Sequence, residues 1–483
     1  MSFASLPVAI IGAGPVGLAA AAHVLARGAT PLVLEAGPKA GHAIRQWSHV
    51  RMFTPWRYCV DHQAAALLAT RGWSHPPADE IPTGGELVSR YLEPLAASLV
   101  PHVRFNARVT GVTRKGCDKV RTAGRDSLPF VLRVAAADGR ERMIEASAVI
   151  DASGTWSTPN PAGADGLPAI GEIEAADRIA TGIPDVLGSD RAIYAGRTTA
   201  VVGSGHSALS ALIELAALRE AVPGTRIFWL MRKERVEAAF GGEEADVLAA
   251  RGALGSRGRT LVESGAVDVV TPFRISSISR DADDRLRIEG DHAGKTTALM
   301  ADRVVVATGF RPDLAILREM RLALDPWLES VAGIGTLIDP NLHSCGTVRP
   351  HGAIELAHPE TRFFIAGMKS YGRAPTFLMA TGHEQVRSIA AMLAGDIEAA
   401  KRVELDLPET GVCSTRPAPG IKAIVSACCG PAPAKVADAA CCGGSAPVGI
   451  EACCVEDAKA KAAGAVGCGC APATAPVAAI AES

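Results

Sequence analysis

Two glycine-rich turns constrain this 483-residue chain more than any other feature, because each lies between a short aliphatic run and an Ala- and Leu-rich stretch. In the first, Val8-Ala9-Ile10-Ile11 leads into Gly12-Ala13-Gly14-Pro15-Val16-Gly17. In the second, Val201-Val202 leads into Gly203-Ser204-Gly205-His206-Ser207-Ala208. A buried strand, a tight turn and a helix in that order make the first half of a dinucleotide-binding βαβ unit.

The spacing has a mechanical reading. Gly12 permits the tight turn, Gly14 lets the backbone approach a pyrophosphate, and Gly17 lets the helix pack on its strand. The helix amino terminus then presents unpaired amides to the phosphates. A second strand, Pro31 to Leu34, ends in Glu35, whose carboxylate suits a ribose 2′-hydroxyl. The second turn has Ala208 in the third glycine position, which the fingerprint allows. Its next strand, Ile227 to Met231, ends in Arg232-Lys233 with Arg235 beyond. Cations there suit a 2′-phosphate and so NADPH rather than NADH. His206 reads as a loop residue beside the cofactor, not as a catalytic base.

Three more runs end at small residues: Val149-Ile150-Asp151-Ala152-Ser153-Gly154, Val304-Val305-Val306-Ala307-Thr308-Gly309, and Phe363-Phe364-Ile365-Ala366-Gly367-Met368. The first two are expected where the chain crosses between two domains. A helix is expected to begin near Ala374-Pro375-Thr376 and to point its amino terminus at the cofactor. The fold class is therefore α/β. It comprises two Rossmann-like dinucleotide-binding domains, for FAD and NADPH, the second inserted in the first, plus a flexible Cys-rich C-terminal tail. Residues 1–160 and 303–410 are assigned to the FAD-binding domain, 161–302 to the NADPH-binding domain and 411–483 to the tail.

Composition removes other classes. Lys and Arg number 49 against 51 acidic residues, a net charge of −2, which argues against a nucleic-acid binder. Aromatics are 4% of the chain, too few for a base-stacking platform. No uncharged apolar run reaches the ~20 residues that span a bilayer, and no basic stretch precedes a cleavable apolar segment, so a cytoplasmic protein without a membrane partner is expected.

Of the 12 cysteines, Cys59, Cys117 and Cys345 are scattered through the body, Cys117 in a polar stretch expected to be exposed. Cys413 follows the body. The remaining eight are Cys428-Cys429, Cys441-Cys442, Cys453-Cys454, Cys468 and Cys470. Their recurrence is the internal repeat the sequence shows. Thiolates prefer soft acceptors such as trivalent arsenic, antimony or mercury(II), whereas structural zinc favours Cys-x(2–4)-Cys spacing. These nine cysteines, Cys413 included, are metal-binding candidates, with zinc or an inert redox tail as the competing readings. Cys59 and Cys345 are candidates to bind substrate beside the flavin, or else small buried hydrophobes. The body has no Cys-x-x-Cys for a dithiol relay.

On these motifs, residues 6–405 resemble the two-dinucleotide-binding-domain flavoproteins, and among them the flavin-containing monooxygenases. Arg51-Met52-Phe53-Thr54-Pro55-Trp56-Arg57-Tyr58, Gly367-Met368-Lys369-Ser370-Tyr371-Gly372-Arg373-Ala374-Pro375 and Leu407-Pro408-Glu409-Thr410-Gly411-Val412-Cys413 are similar to flavin-dependent monooxygenases encoded with arsenic-resistance genes. Between residues 155 and 197 the chain lacks the Phe-x-Gly-x-x-x-His fingerprint of the amine-oxidising members. The expected FAD-binding residues are Gly12, Gly14, Gly17, Glu35, Trp47, Gly154, Gly367 and Met368. Those for NADPH are Gly203, Gly205, Ser207, Ala208, Arg232 and Lys233. No catalytic side chain is singled out. The resemblance implies oxidation of arsenite or methylarsenite by dioxygen through a C4a-(hydro)peroxyflavin, the tail capturing the metalloid. Two alternatives stand beside it: a metal- or disulfide-reducing flavoprotein with its relay thiols in the tail, and a metalloid chaperone or sensor on a flavoprotein scaffold.

Overall fold

Each glycine turn follows a strand in the middle of a parallel sheet. The computed structural model describes residues 6–136, 138–243, 246, 249–342, 348–375 and 377–405. In chain order, β1 (Val8–Ile11), α1 (Pro15–Ala26) and β2 (Pro31–Leu34) come first. Both strands are aliphatic and wholly buried, as parallel strands covered on two faces must be. α1 is buried from Val16 to Val24 and correspondingly apolar all round.

The short helices α2 (His42–Arg45), α3 (His62–Ala69), α4 (Gly84–Leu87) and α5 (Glu93–Ser98) lead to β3 (Val103–Arg104). Asp61 caps α3 through the Ala64 amide, and Thr83 with Glu86 forms a reciprocal capping box on α4. An antiparallel meander of β4 (Ala107–Arg114), β5 (Phe130–Ala136) and β6 (Glu141–Ala146) then feeds β7 (Ala148–Asp151). β7 returns to pair in parallel with β1.

The sequence then leaves this sheet and builds a second one. Its elements are β8 (Ile179–Thr181), α6 (Arg191–Tyr194), β9 (Thr198–Val202), α7 (His206–Ala221), β10 (Arg226–Leu230), α8 (Ala249–Glu263) and β11 (Asp268–Val270). A second meander, β12 (Phe273–Arg280), β13 (Leu286–His292) and β14 (Lys295–Ala301), feeds β15 (Arg303–Val306), which pairs in parallel with β9. The chain finally passes α9 (Ala332–Ile338) and completes the first sheet with β16 (Phe363–Ile365), then adds α10 (Met379–Leu393) and α11 (Ile397–Lys401).

The strand orders are β16-β7-β1-β2-β3 and β11-β10-β9-β15-β8, parallel throughout. Every strand of the second sheet lies in sequence between β7 and β16, so the second Rossmann-like unit is inserted in the first, as expected. Strand–helix–strand, then meander, then returning strand occurs twice. In sequence this structural repeat is carried by the glycine turns and by the small-residue ends of the returning strands, Ala152-Ser153-Gly154 and Ala307-Thr308-Gly309. Three cores follow: one around the first sheet, and one on each face of the second. Val201 enters one of those two faces while Ala200 and Val202 enter the other, the alternation of a strand.

Two expectations need correction. The last long helix begins at Met379 rather than near residues 374–376, because the chain first turns at Gly372 (φ +60°) and sets Phe377 edge-on to Tyr371 at 5.0 Å. Cys117 is buried rather than exposed. Its loop is drawn inward by Arg125, which meets Glu360 in a buried cluster with Arg114.

Candidate nucleotide-binding site

The first crevice opens where β1, β7 and β16 end. Gly12 has φ +100°, and a Cβ there would lie 2.8 Å from the Ala152 carbonyl oxygen. A Cβ on Gly17 would sit 2.0 Å from the Gly12 oxygen, so the helix reaches its strand only because that position is glycine. Gly14, the N-cap of α1, makes no side-chain cap and faces open space, as does Gly154. The first-turn amides of α1 are thus available to an anion. Glu35 braces the turn: its oxygens accept from the Ala13 and Gly37 amides, both at 2.7 Å. A carboxylate has further lone pairs for sugar hydroxyls.

The third strand end is tied in tightly. Gly367 has φ +71° and sits against Val16 of α1, where a Cβ would approach to 3.3 Å. Gly382 of α10 meets the same Val16. Lys369 and Asp151, both fully buried, pair at 2.7 Å, and Lys369 also donates to Ser153 at 3.1 Å. The turns at Gly12, Asp151–Gly154 and Gly367–Met368 therefore converge. Trp47 packs against Gly84, with its ring 6.5 Å from that of Trp156.

The second crevice repeats the first. Gly203 has φ +129°, and a Cβ would lie 2.3 Å from the Ala307 oxygen, just as Gly12 abuts Ala152. Gly205 caps α7 and faces open space. Ala208 is buried in the helix, while Ser207 is half-buried in its first turn. Trp229 donates its indole N–H to the Gly203 carbonyl at 2.7 Å, fixing the turn from β10. Arg232 and Lys233 follow β10, Arg232 donating to the Ala164 carbonyl at 2.6 Å and Lys233 to that of Ala238. Arg235 pairs with Glu237. His206 is the first residue of α7 rather than a loop residue, and its ring lies 5.2 Å from Phe53 of the first unit. Burial lowers its pKa.

Sequence reasoning found the two crossing segments but missed what joins them. Trp156 stacks on Phe310 at 4.8 Å and donates to Gln46 at 2.9 Å. Asn160 and Thr308 exchange two side-chain bonds, and Arg311 holds the Asn160 oxygen at 2.9 Å. The aromatic in Gly309-Phe310 and the Trp in Gly154-Thr155-Trp156 were the available signals.

The cysteines divide. Cys59 is fully buried, within 3.5 Å of the Thr54 hydroxyl, and burial pushes its thiol up to about 11. A thiol held protonated is a poorer metalloid ligand than a thiolate, which favours the packing reading of Cys59 over the substrate-binding one. Cys345 and the nine candidates Cys413, Cys428, Cys429, Cys441, Cys442, Cys453, Cys454, Cys468 and Cys470 lie outside the described residues. Among the described residues, no three His, Cys, Asp or Glu side chains are grouped to hold a metal, and no helix is long and apolar enough to cross a membrane.

The model of the pyridine nucleotide-disulphide oxidoreductases matches residues 9–331. No curated protein matches. Among solved structures, the chain is similar to the bacillithiol disulfide reductase Bdr of Bacillus cereus, at 19% identity and a TM-score of 0.60, over 81% of this chain and 99% of that one. It is similar to FAD-bound DfoA, the cadaverine monooxygenase of desferrioxamine biosynthesis in Erwinia amylovora, at 14% identity and 0.56, over 86% and 98%. It is also similar to a flavin-containing monooxygenase of Stenotrophomonas maltophilia, at 20% identity and 0.51, over 82% and 99%. At these identities the likeness is one of fold.

Proposed function

The chain belongs to the pyridine nucleotide-disulphide oxidoreductase family, and from that premise we propose that it is an NADPH- and FAD-dependent monooxygenase acting on trivalent arsenicals. The carrying observation is the state of the described cysteines. Among the described residues the cysteines, Cys59 and Cys117, are both buried free thiols and do not form a redox dithiol that could take electrons from the flavin. This supports a small substrate that meets the flavin itself.

The residues fit the two dinucleotides. Gly12 and Gly14 with the first turn of α1 hold the FAD pyrophosphate, Gly17 allows the helix its approach, and Glu35 accepts from the ribose. Gly154, Gly367 and Met368 present backbone to the flavin end, and Trp47 walls it. Gly203, Gly205, Ser207 and Ala208 hold the NADPH pyrophosphate, and Arg232 with Lys233 meets the 2′-phosphate. Bound FAD, reduced by NADPH, supplies the two electrons that let dioxygen deliver one oxygen atom to a nucleophile and the other to water. Trivalent arsenic has the lone pair that such chemistry needs, and no protein nucleophile is required. NADPH, a proton, dioxygen and the trivalent arsenical balance NADP⁺, water and the pentavalent product. The cysteine-rich residues 411–483 raise the local concentration of thiophilic substrate.

The adjacent cysteine pairs of that tail favour one second reading, a flavoprotein reductase of metals or disulfides. Oxygen uptake by the FAD-loaded protein on NADPH separates the two. Arsenite or methylarsenite stimulates uptake in the first case. In the second, disulfide or mercury(II) draws NADPH without oxygen.

A further inference from the structure

The turn at Gly367 is held by a buried network whose protons can be placed one after another. A backbone N–H only donates, so the Gln385 atom 2.7 Å from the Gly367 amide is the side-chain oxygen. The Gln385 NH₂ then donates to the Ser370 hydroxyl at 3.0 Å and to His351 Nε2 at 2.9 Å. Ser370 in turn donates to the Gly367 carbonyl at 2.7 Å. His351 Nε2 must accept, so its proton sits on Nδ1, where the Arg349 carbonyl accepts at 3.1 Å. Gln385 and Ser370 are fully buried and His351 is 2% exposed. Both Gln385 amide hydrogens and its oxygen are therefore committed, and the amide has one orientation.

Protonation of His351 breaks this arrangement. An imidazolium donates from both nitrogens, so Nε2–H would face the Gln385 NH₂. Turning the amide over to accept that proton would set its NH₂ against the Gly367 N–H. Water cannot take up the mismatch in a buried site, so one donor is stranded.

We propose that Gln385 and His351 are positioning residues for the flavin end of the first crevice: neutral His351, through Gln385, keeps the Gly367–Met368 turn in its left-handed form, and protonated His351 releases it. This rests on the reading that the first crevice holds FAD. The groups facing His351 are Arg349 and Glu355 on its own segment, Glu384 on α10, and Tyr371, whose ring centre lies 5.6 Å from that of His351. Ser388, one turn beyond Gln385, clamps the Ala353 amide at 2.9 Å, so the segment cannot swing away to relieve the clash. Burial holds the His351 pKa below its ordinary value, so the neutral form prevails near pH 7.

The test is FAD affinity of the full-length apoprotein, by quenching of flavin fluorescence, from pH 8 to pH 5, with circular dichroism to confirm folding. The wild type loses about tenfold or more in affinity as pH falls through the His351 titration. His351→Phe shows no such step. Gln385→Glu, whose carboxylate accepts from both Gly367 and the imidazolium, loses the step or reverses it. Gln385→Leu binds about tenfold more weakly than the wild type at pH 8 and shows no step as the pH falls. A wild-type pH profile in both His351→Phe and Gln385→Glu overturns the proposal, as does wild-type affinity in Gln385→Leu. A wild type that binds no FAD at any pH overturns the FAD reading, and this inference with it.

Discussion

Lys369 and Asp151 meet across 218 residues of sequence with neither side chain touching water. Removing one partner leaves the other charged and buried, so Lys369→Met costs about 3–5 kcal/mol of stability in urea unfolding. Two histidines give the acid limit. His358 accepts from the Ala323 amide on Nδ1, which places its proton on a buried Nε2, and burial holds its pKa at about 4. His383 is buried on α10 and likewise held at about 4, with Asp61, His23 and His62 around it. The unfolded imidazoles bind protons first, so stability is full above about pH 6.5 and falls as pH drops towards 4. The loss is on the order of 3 kcal/mol for each. His358→Asn, whose amide oxygen can still accept from Ala323, flattens that slope in thermal melts taken between pH 7 and 5. The glycines were legible because their reason is local: a turn and a strand–helix contact a few residues apart. Lys369, Gln385 and His351 were not, because their partners come from distant strand ends and only the fold brings them together.

At the scale of elements, the two βαβ units were legible from aliphatic runs set against glycine spacing. The meanders β4–β6 and β12–β14 were not, since they carry mixed polar strands without a motif. The duplicated design predicts opposite outcomes for two neighbouring glycines. Gly203→Ala forces a Cβ toward the Ala307 oxygen at a positive φ and destabilises the fold by about 1–3 kcal/mol. Gly205→Ala meets nothing within 4 Å, leaves the unfolding midpoint within about 0.5 kcal/mol of wild type, and weakens NADPH binding through crowding of the phosphate. Urea melts and NADPH titrations on both variants check the pair. Equal destabilisation would mean that the Gly205 position is structural rather than cofactor-facing.

For the whole molecule, the inserted second unit sets two like-built crevices in one chain, joined by the Trp156–Phe310 stack and the Asn160–Thr308–Arg311 bonds. That architecture suits direct reduction of a flavin in the first crevice by a pyridine nucleotide from the second. The tail's cysteine pattern was plain in the sequence, and the capture role proposed for it turns on substrate concentration. Truncation after Thr410 leaves turnover at saturating arsenical unchanged and lowers it at limiting arsenical. Equal rates at both concentrations would leave the tail no part in capture. Arsenic speciation in FAD-loaded protein turning over NADPH, in air and under argon, with arsenite or methylarsenite, decides whether the enzyme oxygenates arsenic. A monooxygenase forms one pentavalent arsenic per NADPH in air and none under argon. NADPH consumption that continues under argon, or that leaves the arsenic trivalent in air, would contradict it.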